Sequence, residues 1–296
     1  MARYGIVDIG SNTIVHVTYE TENGRLRIIS HHSDPVHLVS YIHDSHMEKE
    51  GIMKTCESIR KALADFRELN VRYVCGFVTA PARGIDNSEE LTDAVLAAGL
   101  HLRILSGEEE AFYSYRGTSL DTEADSGLMI DIGGGSTELL AFENHKKTDS
   151  LSMPLGCVRL KNEADPSGAS KEMLKDYRLR HPQMKDQEVL LAVGGTARAL
   201  AKVIRALYGT GKSGDVSYVY DLYDKLMHND PEALEAVRNN VGSARRSVFT
   251  PGLAMLCAVC RSFGIRTILS SEYGVREGFL LETVLPPEDR QITLAE

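Results

Sequence analysis

Two short apolar runs, each ending in an aspartate and a cluster of glycine and hydroxyl residues, constrain this chain most. The first is Gly5-Ile6-Val7-Asp8-Ile9-Gly10-Ser11-Asn12-Thr13, and the second is Gly127-Leu128-Met129-Ile130-Asp131-Ile132-Gly133-Gly134-Gly135-Ser136-Thr137-Glu138. In both, the apolar run reads as a buried strand and the cluster after it as a tight hairpin turn. Glycine removes the Cβ that would keep a ligand from the backbone. The exposed amides, with Ser and Thr hydroxyls beside them, then form a concavity suited to phosphate oxygens. An aspartate next to such a turn can meet a divalent cation or a water close to those oxygens. The two aspartates lie 123 residues apart, which suggests a duplicated unit whose halves face each other across a phosphate. An ordinary hairpin with an aspartate in its turn accounts equally well for the first loop. It accounts poorly for Gly133-Gly134-Gly135, because three glycines in a row cost backbone entropy with no packing return.

The length of 296 residues suits two domains of ordinary size. No apolar run approaches membrane-spanning length and no basic leader precedes the first strand, so the expectation is a soluble, cytoplasmic protein without a membrane partner. Five cysteines, an odd number, argue against a closed disulfide framework. Cys257 and Cys260 form a CxxC inside the apolar run 253–260, where buried small side chains are the better account than a zinc site. A formal net charge of −9 weighs against nucleic-acid binding, which needs a basic face. An anionic substrate is still admissible, because net charge governs solubility and steering rather than a local site. A few arginines and a bound cation would have to neutralise it there. Five of the ten histidines, His31, His32, His37, His43 and His46, fall in one stretch whose spacing fits no metal-ligand pattern, and residues 34–46 read as a solvated loop.

The pattern predicts a strand meander over residues 3–9, 14–20 and 25–30. A helix over 48–68 follows, with Ile52, Cys56, Ile59, Leu63 and Phe66 on one face. A strand at 71–78, a helix at 88–98 and a strand at 100–105 lead to Ser106, which caps the next helix with Glu109 three residues later. Such alternation argues for a layered α/β fold. The polar segment 121–127 reads as a linker, after which strand, glycine turn and strand recur. Helical stretches are predicted at 170–187, 197–207 and 220–260, strands at 189–193 and 267–271, and a last helix near 275–284. Gly194-Gly195-Thr196 sits between a strand and a helix, where amides and the helix N-terminus both favour an anion.

Seven motifs in order give the chain a family resemblance. Besides the two turns from Val7 to Thr13 and from Asp131 to Glu138, they are Thr79-Ala80-Pro81-Ala82-Arg83, Ser106-Gly107-Glu108-Glu109-Glu110-Ala111 and Leu155-Gly156-Cys157-Val158-Arg159-Leu160. Gly194-Gly195-Thr196-Ala197-Arg198-Ala199-Leu200 and Tyr273-Gly274-Val275-Arg276-Glu277-Gly278 complete the set. The chain resembles the exopolyphosphatase and guanosine-pentaphosphate phosphohydrolase family, within the actin, Hsp70 and sugar-kinase superfamily. That resemblance implies an α/β fold of two actin-like (ribonuclease H-like) domains, each a mixed sheet with flanking helices, and an active site in the cleft between them. The domains are expected at 1–118 and 119–296, with the last helix a candidate to pack back on the first. The additional C-terminal helical domains of long family members are not expected within these 296 residues.

The resemblance makes Glu110, the glutamate directly before alanine, the catalytic base that takes a proton from an attacking water. The residues alone leave Glu108, Glu109 and Glu110 equivalent as acidic groups at a helix N-terminus. Asp131 and Glu138, returned close to each other by the hairpin, are the candidates to hold Mg²⁺ or its waters, with Asp8 as a third carboxylate. For Asp8 a plain turn-stabilising role stands beside that one. Phosphate oxygens are assigned to Ser11, Asn12, Thr13, Gly133, Gly134, Gly135, Ser136, Gly194, Gly195 and Thr196. Arg83 and Arg245 are added on the strength of the resemblance, and a guanidinium suits bidentate contact with phosphate. Ser247 stands where the family has an aspartate. Arg276 and Glu277 read as structural partners. The implied activity is Mg²⁺-dependent release of terminal orthophosphate from inorganic polyphosphate, with guanosine pentaphosphate as the alternative substrate. A kinase of the same superfamily, a non-catalytic sensor of polyphosphate or guanosine tetraphosphate, and a homodimer remain open.

Overall fold

The computed structural model describes residues 1–210, 213–287, 290 and 292–294, with only the backbone of residue 213. By internal contact the chain divides into Met1–Glu110 with Phe279–Glu296, and Ala111–Gly278. The division falls inside the helix Gly107–Thr118, and the described residues from Phe279 onward group with the first unit.

In the first unit, β1 (Ala2–Ile9), β2 (Ile14–Glu22) and β3 (Arg25–Asp34) form an antiparallel meander. Val7, Ile9, Ile14 and Val17 are fully buried, which is why the glycine turn between β1 and β2 is held so firmly. A small hairpin, β4 (Ile42–His43) with β5 (His46–Met47), precedes the long helix α1 (Lys49–Glu68). The buried residues of α1 include Ile52, Cys56, Ile59 and Phe66, the face predicted from spacing. The chain continues through β6 (Tyr73–Val78), α2 (Ala80–Arg83), α3 (Ser88–Ala97) and β7 (Leu102–Ile104) into α4 (Gly107–Thr118). The segment 34–46, expected to be a solvated loop, is a structured one: Leu38 is buried, and a 3₁₀ turn spans Leu38–Tyr41. A short strand near the end of the chain, Thr293–Leu294, adds to β3, so that it, β3, β2, β1, β6 and β7 form one six-stranded sheet in that order.

The second unit repeats the plan. An antiparallel meander of β8 (Gly127–Ile132), β9 (Thr137–Glu143) and β10 (Lys146–Met153) is followed by α5 (Cys157–Leu160) and α6 (Pro166–Arg180). Then come β11 (Val189–Val193), α7 (Gly194–Tyr208), β12 (Ser213–Asp215), α8 (Ser217–Met227), α9 (Pro231–Asn240), α10 (Ser243–Phe263), β13 (Thr267–Ser270) and α11 (Val275–Phe279). Its sheet runs β10-β9-β8-β11-β13-β12. In both sheets the first meander strand pairs antiparallel on one side and parallel on the other, with the strand that arrives after a helical crossover. The duplication inferred from the two turns is therefore a duplication of topology.

Some boundaries differ from the sequence-based expectation for identifiable reasons. The helical stretch 220–260 is three helices, because Asp230 caps Pro231 at the start of α9 and Gly242 precedes α10. The segment expected as a linker is tied down at its start: Asp121 accepts hydrogen bonds from the Ser271 hydroxyl (the closest contact) and the Glu272 amide at 3.0 Å. Cys257 and Cys260 are buried in α10, and burial pushes the Cys257 thiol up to about 12 and raises Cys260 as well, which suits inert packing groups. No helix among the described residues is long and apolar enough to cross a membrane.

Helices α4 and α11 meet backbone to backbone. A Cβ at Gly117 would lie 2.1 Å from the Gly274 carbonyl oxygen, and one at Gly278 would lie 1.8 Å from the Tyr113 carbonyl oxygen. Backbone cannot swing aside as a side chain can. Gly117→Ala is expected to destabilise the protein by about 1–3 kcal/mol, the usual range for overpacking. Gly242→Ala, which meets nothing within 4 Å, should stay within roughly 0.5 kcal/mol of the parent in urea unfolding.

Candidate active site

The second unit gathers most of the predicted residues on the β8–β9 turn and the start of α7. The Gly133 amide donates to the Ser136 carbonyl at 2.9 Å, closing the turn. The Gly133 and Gly134 carbonyls accept from the amides of Cys157 (2.9 Å) and Val158 (3.0 Å) at the start of α5. No protein acceptor faces the Gly134 and Gly135 amides among the described residues, so they are placed to bind oxygen from a ligand. Thr196, in the first turn of α7, donates its hydroxyl to the Ile132 carbonyl at 3.3 Å, which ties that helix start to the same turn. The first amides of α7 lack intrahelical partners by geometry, and here they belong to Gly194, Gly195 and Thr196. The glycine segment expected as a loop is thus the first turn of the helix itself.

Asp131 and Glu138 are direct partners across β8 and β9, so both carboxylates project from one face of the sheet. Glu138 is 0 % exposed and accepts from the Ser152 hydroxyl at 2.7 Å. Asp131 is half-buried and accepts from the Ser114 hydroxyl at 3.0 Å. Burial pushes the Asp131 carboxyl above its ordinary range, while Ser114 and the charges of Arg198, Arg276 and Arg245 pull the other way. Arg198 in turn has its pKa lowered, by burial first and by Arg276 next. Two glycines at the start of α7 permit close approaches. Gly194 has φ +81°, and a Cβ there would sit 2.3 Å from Asp131 Oδ1. A Cβ on Gly195 would lie 2.2–2.4 Å from the Arg245 guanidinium, which therefore lies directly against the first turn of α7.

Sequence reasoning missed Arg198 as a member of this group, and placed Arg276 only as a structural partner. Both stand one helical turn or less from a glycine motif, a position at which side chains return toward the glycine turn. Glu277 does hold structure, accepting the Gly274 amide at 2.8 Å. Ser247 is exposed on α10.

In the first unit the β1–β2 turn is built on the same scheme. The Gly10 amide donates to the Thr13 carbonyl at 3.1 Å, while the Asn12 and Ser11 carbonyls accept from the His37 (2.9 Å) and Val39 (3.0 Å) amides. The Asn12 side chain is engaged by His37 Nδ1 at 2.5 Å. Asp8 lies half-buried on β1, two residues before Gly10. Glu110, on the first turn of α4, is buried and forms an ion pair with Arg83 Nη1, which lies 3.4 Å from the Leu105 carbonyl. The expected phosphate-binding arginine and the expected base are thus paired with each other. Glu109 makes the predicted capping box, accepting the Ser106 amide at 2.9 Å while its own amide donates to Ser106 Oγ at 3.1 Å. It also pairs with Arg103.

Known proteins are similar to this chain over most of its length. Residues 17–286 match the Ppx/GppA phosphatase family. A guanosine-5'-triphosphate,3'-diphosphate pyrophosphatase from Pseudoalteromonas atlantica is 29% identical over 297 residues, covering 94% of this chain and 58% of that protein. The chain therefore spans little more than half the length of that relative. The Ppx/GppA protein of Aquifex aeolicus superimposes with a TM-score of 0.77 at 22% identity, covering 96% of this chain and 97% of the other. An exopolyphosphatase from Cytophaga hutchinsonii does so with a TM-score of 0.81 at 19% identity, covering 94% and 96%. These superpositions establish the fold as two actin-like domains of mixed sheet.

The contacts of α7 distinguish two neighbouring glycines. Gly195→Ala should displace the Arg245 guanidinium, a flexible end group, and weaken tripolyphosphate binding in calorimetry with little change in Tm. Gly194→Ala should lower Tm as well, because a left-handed alanine costs about 1–2 kcal/mol before its clash with Asp131 is counted.

Proposed function

The chain belongs to the Ppx/GppA phosphatase family, and on that premise we propose that it hydrolyses a phosphoanhydride, releasing terminal orthophosphate from inorganic polyphosphate. The observation that carries the reading is the anion-binding construction of the second unit: glycine amides, a helix start and three arginines around Asp131. Such a set neutralises a multiply charged phosphate locally, although the chain as a whole is acidic.

In this reading the amides of Gly134, Gly135, Gly195 and Thr196 bind phosphoryl oxygens, and Arg245 and Arg198 counter their charge. Ser11, Asn12 and Thr13 form the corresponding turn of the first unit and are assigned the same chemistry, the binding of phosphate oxygens. Glu110 takes the proton of the attacking water, and Arg83 positions its carboxylate. A guanidinium has donors on three nitrogens, so contact with Glu110 through Nη1 is compatible with a phosphate oxygen as a further partner.

The hard oxygen donors of Asp131 and Glu138, side by side across β8 and β9, fit Mg²⁺, as does the missing Cβ at Gly194 beside Asp131 Oδ1. Asp131, the less buried of the two, is the residue to hold the ion or its waters, with Glu138 behind it and Asp8 as a further carboxylate. When bound, the ion would offset charge on the phosphate oxygens and the leaving group. Guanosine pentaphosphate is the second substrate reading, favoured by the relative from Pseudoalteromonas atlantica.

Phosphate release from short polyphosphate and from guanosine pentaphosphate, each with Mg²⁺, tests the proposal and ranks the substrates. Glu110→Gln is expected to lower kcat by about 10²–10⁴ with little change in KM, the usual general-base effect. Glu109→Gln should be nearly silent. Asp131→Asn should raise the Mg²⁺ concentration for half-maximal rate without a comparable loss of Tm. Equal effects of the two glutamate substitutions, or full activity in EDTA, would refute these roles.

A further inference from the structure

His16, His32 and Asp65 converge in the first unit although no sequence spacing links them. His16 on β2 and His32 on β3 are direct cross-strand partners, and their rings stack with centroids 4.9 Å apart at 19°. Asp65, near the end of α1, reaches His16 Nε2 at 2.7 Å. One nitrogen from each imidazole and one Asp65 oxygen all lie within 4.8 Å of one another. We propose that these three residues bind one divalent transition-metal ion of the zinc, cobalt or nickel class.

The donor set decides the class of ion. Two imidazole nitrogens and one carboxylate suit borderline cations, whereas Mg²⁺ takes an all-oxygen shell. Ligand atoms of a tetrahedral zinc site stand about 3.4 Å apart for metal–ligand distances near 2.0–2.1 Å. Closing the triangle from 4.8 Å therefore needs a modest side-chain shift, and exposed His32 can supply it. His16 is the fixed member: it is 6 % exposed, and the Phe66 ring meets it edge-on at 5.6 Å. The ion would take His16 Nε2 in place of the hydrogen shared there with Asp65, and the neutral ring would carry its hydrogen on Nδ1 instead. Asp34 adds negative charge nearby. It lies two residues beyond His32, on the same face of β3, and is held by exposed Lys61 at 3.6 Å. Three protein ligands leave positions for water.

Its place in the fold says what the ion does. The ligands come from β2, β3 and α1, so binding fastens the β2–β3 hairpin to the long helix packed on the sheet. It shares no residue with the carboxylates assigned to Mg²⁺, and it stands whether or not the hydrolase reading holds.

The test uses untagged full-length protein stripped of metal and titrated with Zn²⁺ and, separately, Co²⁺. Expected are uptake of one equivalent, a rise in Tm by mass action, and visible Co²⁺ bands of nitrogen ligation. His32→Ala changes an exposed side chain and leaves the His16–Asp65 contact in place. It should keep the metal-free Tm and weaken uptake by at least about tenfold, the scale at which even outer partners of a ligand matter. Asp65→Asn should weaken uptake likewise, and His43→Ala, at another exposed histidine, should leave it intact. No stoichiometric uptake, or uptake that survives either His32→Ala or Asp65→Asn, overturns the site.

Discussion

The glycine turns depend on hydrogen bonds that come from elsewhere in the chain. A run such as Gly133-Gly134-Gly135 has no side chains to fix it and loses much entropy on ordering. It is held because its carbonyls accept from Cys157 and Val158, and because the chain on either side is buried strand. The β1–β2 turn uses His37 and Val39 for the same purpose, with no similarity of sequence between the two donor segments. In each case the carbonyls are turned toward the protein, which leaves neighbouring amides to face a ligand. Fixing the donors before the ligand arrives is what makes an amide loop a strong anion site.

Electrostatic balance follows from the same arrangement. Two adjacent carboxylates and three arginines would each be costly to bury alone. Grouped in one unit, they compensate in part: burial raises the Asp131 carboxyl, and Arg198, Arg276 and Arg245 oppose that rise. The arginines also crowd one another, and Arg276 helps to lower the Arg198 pKa. An anion relieves that crowding. A chain of net charge −9 can therefore hold a locus where three arginines offset the carboxylates beside them.

Sequence showed the fold well where periodicity and glycine motifs reported local structure. The meanders, the buried face of α1, the capping box at Ser106 and the cysteine pair in α10 are of that kind. It failed where structure rests on contacts between distant segments. Spacing could not reveal that the stretch around His37 braces the first turn, nor that His32 lies against His16, since register across a hairpin pairs residues by turn position rather than by interval. It located the motif from Tyr273 to Gly278 without its reason, which is backbone contact between α4 and α11. Arg198 was visible as a letter in a motif, yet its membership of the arginine group depends on where α7 points, and that is tertiary information.

The run Glu108-Glu109-Glu110 shows how a helix separates identical residues. Successive positions on an α-helix are about 100° apart, so three glutamates in sequence cannot share an environment. Glu108 faces solvent, Glu109 turns back to cap Ser106 and meet Arg103, and Glu110 goes inward to Arg83. The first two roles are complete within the helix and its entry. Only the third places a carboxylate in a buried position against a guanidinium that α2 supplies, which is an arrangement the helix has no structural need for. Capping satisfies the helix start through Glu109, and dipole compensation is met by Glu108 and Glu109 together. The inward glutamate is the one left over once the needs of the helix start are met, and its partner is Arg83.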